Sequence, residues 1–147
     1  MGDGVESVKK NSKDQLLDEL ITTVFKQTQP SEHLLVDKFI RQFSTNPTYE
    51  DLHKIPLDRL ATGLSDMWEF IKHRTPGEPK VKVYYWKPDF ETPLSDRIII
   101  DIINDDMSFL VDSIVEVLHK YQLKSRRIIH PVLKMKRNSK GFLTHIF

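Results

Sequence analysis

Between positions 74 and 80 the chain reads RTPGEPK. Pro76, Gly77 and Pro79 together forbid both a continuing helix and a paired strand, so the residues before this stretch and those after it are built separately. The hydrophobic period changes across it as well. Before it, apolar residues recur at intervals of three and four; after it they come in continuous or alternating runs. The implied organisation is a helical segment over residues 1–75 joined to an α/β unit over residues 76–147.

In SKDQLLDELITTVFKQ, the residues Leu16, Leu17, Leu20, Ile21, Val24 and Phe25 fall on one helical face, after Ser12 as a residue suited to a cap. Residues 1–11 carry charge without an apolar period and are expected to be disordered. Leu34, Leu35, Phe39, Ile40 and Phe43 form the stripe of a second helix, restarted by Pro30 and Ser31. NPTYEDL reads as a turn with a short helix. Pro56 is placed as the first residue of a further helix, whose apolar face is Leu57, Leu60, Leu64, Met67, Trp68 and Ile71. Stripes of this kind build cores.

After the break, VKVYYW and RIIIDII read as strands, the second so apolar that both its faces are expected to be covered, as in a central strand. Met107, Val111, Ile114, Leu118 and Tyr121 predict a helix lying across the sheet. SRRIIHPVLKMKRN is extended again, Leu133 and Met135 alternating with Lys134 and Lys136; His130, before Pro131, reads as an extended residue. Asn138 to Gly141 make a hairpin turn with Gly141 in the left-handed position, and FLTHIF returns. The fold class is therefore α+β, with a ferredoxin-like β-βαββ unit that still lacks one helix and one strand. Because FLTHIF runs to the last residue, the chain is expected to be a fragment. Its open sheet edge would be covered by VKVYYW or by a partner.

The residues most suggestive of chemistry are in NDDMSFLVDS, where strand gives way to helix. Asn104, Asp105 or Asp106 can accept hydrogen bonds from the first free N–H groups, and their charge suits the helix dipole. The same geometry admits a ligand, since free N–H groups at a helix start bind carboxylates and strand-to-helix loops are favoured binding places. A catalytic carboxylate pair fits less well, because adjacent side chains diverge whereas acid–base work needs facing ones.

RTPGEPKVKVYYWKP, together with IIIDIINDDMSFLVDSIVEVLHKYQLKSRRIIHPVLKMKRNSKG, resembles the N-terminal region of the large bacterial NAD-specific glutamate dehydrogenases. The resemblance covers residues 57–143, with NDDMSFLVDS and HPVL its most specific parts. It implies a helical segment leading into an ACT-like domain, catalysis far downstream in a long chain, and NAD bound by the whole enzyme but no cofactor and no catalytic residue here. It also implies partners in the downstream domains, a homo-oligomer, and an amino-acid effector held by a loop that in ACT domains reads like Asp-Arg-Pro-Gly-Leu-Leu. On that pattern Asp105 matches the Asp, while Phe109 and Leu110 match the apolar pair. Asp106, Met107 and Ser108 stand where the pattern has Arg, Pro and Gly. The Cβ of Ser108 obstructs the close backbone approach that glycine permits. The resulting candidate loop is Asn104, Asp105, Asp106, Met107, Ser108, Phe109 and Leu110, with N–H groups of 107–109 for the carboxylate and Asp105 or Asp106 for the ammonium. A purely structural oligomerisation module is the alternative.

Other chemistry finds little support. The five glycines form no Gly-rich turn after a strand, so NAD is not expected to bind here by that route. Without cysteine there is no thiolate metal site, and Glu116 with His119 reads as an exposed helix pair. With Lys+Arg 22 against Asp+Glu 21, no global field draws the chain to nucleic acid or an anionic membrane. Tyr84, Tyr85 and Trp86, interleaved with Lys80, Lys82 and Lys87, are the raw material for stacking bases, yet adjacent aromatics point to opposite faces. Arg126, Arg127, Lys134, Lys136 and Arg137 are read as a solvated side of strand and turn. No signal peptide or membrane span is visible, and a cytoplasmic location is expected.

Overall fold

The structure is a computed structural model describing residues 3–85 and 98–147, with side chains from residue 11 onward. Its first half is helical: α1 (Asp3–Phe25), a 3-10 turn at Pro30–Glu32, α2 (His33–Phe43), α3 (Tyr49–His53) and α4 (Leu57–Ile71). Ser12 lies inside α1, not at its cap, because VESVKKNSK contains no breaker and a helix nucleated by its apolar face propagates back through such a stretch. Pro56 sits one residue outside α4, as its cap. Thr48 and Asp51 form a reciprocal capping box that starts α3, the Thr48 hydroxyl accepting from Asp51 N at 3.2 Å and the Asp51 carboxylate from Thr48 N at 3.0 Å.

These helices bury nearly the whole core: Leu17, Leu20, Ile21 and Val24 from α1, Val36, Phe39, Ile40 and Phe43 from α2, Leu52 from α3, and Leu60, Ala61, Leu64, Trp68 and Ile71 from α4. Leu34, expected inside, is 70% exposed, and Val36 takes its place with no exposure. The face of α2 is thus an i, i+3, i+4, i+7 set starting at Val36.

The strands form two separate antiparallel pairs, β1 (Lys80–Tyr85) with β2 (Ile98–Ile103), and β3 (Met135–Arg137) with β4 (Leu143–Ile146). Trp86, expected to end the first strand, and Lys87, named with the stacking aromatics, lie outside the described residues. The register Val81↔Ile102, Val83↔Ile100 and Tyr85↔Ile98 puts six apolar side chains on one face, each between 37% and 71% exposed. The expectation that both faces of RIIIDII are covered is therefore corrected. An apolar run shows which face gains from cover, not that the same chain supplies it. The helix α5 (Leu110–Lys120) stands beside this face, and Ile114, Val117 and Leu118 with Ile100 and Ile102 line an open apolar cleft; no α5 residue is buried. Met107 precedes the helix and Tyr121 comes after it, both well exposed. Gln122, in the left-handed region at φ 58°, ends α5 through a Schellman motif, with Leu123 N donating to Leu118 O at 2.8 Å and Gln122 N to His119 O at 2.9 Å.

The other face of the β1–β2 pair is half-buried and largely polar, with Lys80, Lys82, Tyr84 and Asp101. Tyr84 and Tyr85 do point to opposite faces. Burial pushes the Asp101 carboxyl up, more than its bond from Tyr84 and the charge of Lys82 pull it down, with Asp66 adding to the rise. A raised folded value means that stability is full below the unfolded value near 3.8 and is lost as pH climbs through the folded one. Asp101→Asn, which keeps an acceptor for Tyr84, is therefore expected to melt higher than the parent at pH 7. The advantage should vanish below about pH 4, where both carry a neutral side chain; a thermal melt at the two pH values checks it.

The β3–β4 hairpin docks on the helices. Ile146, 2% exposed, is buried in the helical core, and Ile103, Met135 and Leu143 pack against it half-buried. Gln42 clamps the open end of the hairpin, its Oε1 accepting from Lys134 N at 2.8 Å and its Nε2 donating to Phe147 O. At the turn end, Leu143 N donates to Lys72 O at 2.8 Å and Arg74 N to Gly141 O at 3.0 Å. Leu133 and Met135 are half-buried and Lys134 and Lys136 exposed, as the alternation predicts. Arg137 falls on the inner side by the same period, so its place among solvated residues is corrected. Among the described residues no helix is long and apolar enough to cross a membrane.

Candidate functional site

The stretch from Asn104 to Phe109 links β2 to α5. The helix begins later than the sequence suggests: its cap is Phe109, in the left-handed region at φ 63°, and no side chain caps it. Asn104, Asp105 and Asp106 thus do not act as caps. The free N–H groups of the first turn belong to Leu110 and the residues after it, so 107–109 lie ahead of the helix instead of within its first turn. A phenylalanine at positive φ is costly, of order 1–3 kcal/mol, and such strain persists where the surroundings hold it. The Phe109 side chain is 76% exposed and Met107 57%. Asn104 is half-buried and sends its Nδ2 toward Met107 Sδ at 3.6 Å; Asp106 and Ser108 are exposed and Leu110 is half-buried.

Asp105 is engaged. It accepts from Nη2 of Arg74, whose side chain is only 10% exposed while that of Asp105 is 72% exposed. The pair ties the end of the helical half to the loop. Nothing in a linear reading of NDDMSFLVDS points to Arg74, because the two residues lie 31 positions apart. The available signal is the position of Arg74 at the turn after α4, where the chain must pass the sheet. Arg74 Nε is buried without a hydrogen-bond partner. Beside it, burial and then the Arg74 charge hold the Arg137 guanidinium below its usual range, and burial, Arg137 and Lys82 do the same to Lys80. Lys80 donates to the carbonyls of Phe70 at 2.6 Å and His73 at 2.8 Å, satisfying the end of α4 as a cation there should.

The loop thus carries exposed acids, an uncapped helix start and a strained backbone, next to a cationic corner. Charge and backbone N–H donors are the groups it offers to a small polar molecule. Among the described residues no three of His, Asp and Glu stand together as a metal-binding group.

Comparison with known proteins finds a family model and relatives that share a name. The family described as "Glutamate dehydrogenase, ACT1 domain" matches residues 39–146. The NAD-specific glutamate dehydrogenase of Halomonas elongata is 33% identical over 113 residues, 76% of this chain and 7% of that protein. The protein of the same name from Pseudomonas aeruginosa is 27% identical over 128 residues, 82% of this chain and 8% of its own length. The chain therefore spans less than a tenth of either relative. No solved structure matches it. With the match reaching from α2 to the end of β4, across the loop and the hairpin, the chain belongs to the glutamate dehydrogenase ACT1 domain family.

Proposed function

We propose that the chain is the N-terminal regulatory and assembly region of an NAD-dependent glutamate dehydrogenase, without catalytic residues of its own. In that reading the whole enzyme oxidises glutamate to 2-oxoglutarate and ammonium and reduces NAD, in domains downstream of this one. Residues 1–75 act as a helical platform and residues 76–147 as the ACT-like unit, placed in the cytoplasm and in a homo-oligomer. The observation that carries it is the loop from Asn104 to Leu110, where an uncapped helix start comes after two exposed acids within the family's matched region. An amino acid is the effector this chemistry suits, its carboxylate toward cationic and N–H groups and its ammonium toward Asp105 or Asp106.

The test is a thermal shift of the chain against a panel of amino acids. A specific ligand at a hundredfold excess over its dissociation constant should stabilise by about 2.7 kcal/mol. Asp105→Ala should weaken that binding about tenfold or more, a charge-assisted contact being lost; an unchanged affinity would remove Asp105 from the site. The exposed apolar face of the β1–β2 pair favours a second reading, in which the domain only assembles the enzyme. No shift with any amino acid, together with a self-associating chain in light scattering, would decide for that one.

A further inference from the structure

At the end of α4, Glu32 and Glu69 neutralise Lys72. Beyond it the cations Arg74, Arg137 and Lys80 come together, and among the described residues Asp105 is the carboxylate that pairs with this group. Arg74 holds Asp105, yet its buried Nε has no partner. The Arg137 guanidinium donates to Gly141 O at 3.2 Å and meets Met135 Sδ at 3.3 Å, and among the described residues it has no acid as partner. Lys80 spends its charge on two carbonyls. Burial first, and neighbouring positive charge second, hold Arg137 and Lys80 below their usual range. Half-buried guanidinium groups are ordinarily matched by carboxylates, which fit their fork of donors and offset the cost of burial.

We propose that Arg137, with Arg74, forms a subsite for the carboxylate of a small zwitterion, the amino-acid effector of the reading above, on which this inference rests. Asp105 supplies the other half. It is the exposed member of an ion pair whose buried member cannot be left alone, because an unpaired buried charge is strongly unfavourable. An amine without a carboxylate would take Asp105 and strand Arg74. A carboxylate without an amine would compete with Asp105 for the same guanidinium corner. A molecule carrying both charges satisfies both partners at once, so the order of affinity is amino acid, then carboxylate, then amine. Inserted there, it bridges the turn after α4 and the loop before α5, which the direct ion pair joins in its absence.

The experiment tracks the arginine Nε–H resonances of the 147-residue chain by NMR. It uses sodium acetate, glycine and methylammonium chloride as probes, against sodium chloride at equal ionic strength. Acetate and glycine should shift the Arg137 signal saturably, glycine at lower concentration, and methylammonium should not. Arg137→Gln should weaken glycine and acetate binding at least tenfold, Arg137→Lys less, and Lys136→Gln, an equal charge change on the exposed side, hardly at all. A far-UV spectrum of each variant reports folding, and a misfolded Arg137→Gln leaves the wild-type saturation and the Arg137→Lys titration to decide. Acetate that moves Arg137 no more than chloride does overturns the subsite. An amino acid that binds the wild type and Arg137→Gln equally overturns it too, while leaving the effector reading in place. Acetate bound at Arg137 with no amino acid bound anywhere overturns the effector reading and the zwitterion with it.

Discussion

Truncating Trp68 to Ala should cost about 3–5 kcal/mol, the range for removing a large buried aromatic. Trp68 is 1% exposed, tilts against Phe39 at a ring distance of 5.9 Å and donates Nε1–H to Glu32 at 3.1 Å. Its loss opens a cavity where α2 and α4 meet and takes a donor from Glu32. Burial acts to raise that carboxyl, but the bonds from Trp68 and Lys72 outweigh it and hold it below its usual range. A domain of this size has on the order of 5–15 kcal/mol in all, so the variant should be marginal. Urea unfolding measures it as a lower midpoint at an unchanged slope. Trp68→Phe keeps most of the volume and loses the hydrogen bond, so its cost should be nearer to about 1–2 kcal/mol. Equal losses in the two variants would mean that the hydrogen bond, not the packing, fixes this part of the core.

Gly141→Ala should be nearly as damaging, at about 3 kcal/mol or more, because two independent costs coincide. The residue sits at φ 87°, where a side chain is strained, and an added Cβ would collide with the Arg74 carbonyl. Neither cost can relax cheaply: Gly141 O accepts from Arg74 N, and Gly141 N donates to Asn138 O, each at 3.0 Å. Gly77 separates the two costs. It has a similar φ of 75° but open space around its missing Cβ, so Gly77→Ala should lose only about 1–2 kcal/mol. If the two alanine variants were equally destabilised, the close approach of the hairpin turn to the Arg74 carbonyl would be absent in solution.

Helix faces were readable because burial tracks period: of the residues assigned to α1 and α4, those not buried are half-buried against the same core. In α2 the faces of Leu35, Phe39, Ile40 and Phe43 agree with the period, and only Leu34 falls outside it, one position before Leu35 on the edge of the stripe, while Val36 completes the i, i+3, i+4, i+7 set. The left-handed Gly141 and the alternation through Leu133 and Met135 were legible from local chemistry, whereas pairing between strands was not. Local pattern marks RIIIDII as a strand but carries no term for which strand lies beside it. The candidate loop shows the same division. Its acids stand out in sequence, but Arg74 and Arg137, which give those acids their electrostatic setting, come from elements 31 residues before and 32 residues after Asp105. Such a juxtaposition exists only once the hairpin has closed on α4.

That closure has a consequence for synthesis. The core spans residues 17 to 71 except for Ile146, which fills the last position from the far end of the chain. At ~5–20 residues per second, translating the interval between Ile71 and Ile146 takes roughly 4–15 s. Helices collapse in far less than a millisecond. On the ribosome the packed helices therefore wait with an unfilled apolar slot for tens of thousands of collapse times or more. During that wait the apolar surface that Ile146 later covers stays open to water, and the last position of the core is closed by a residue made long after the rest.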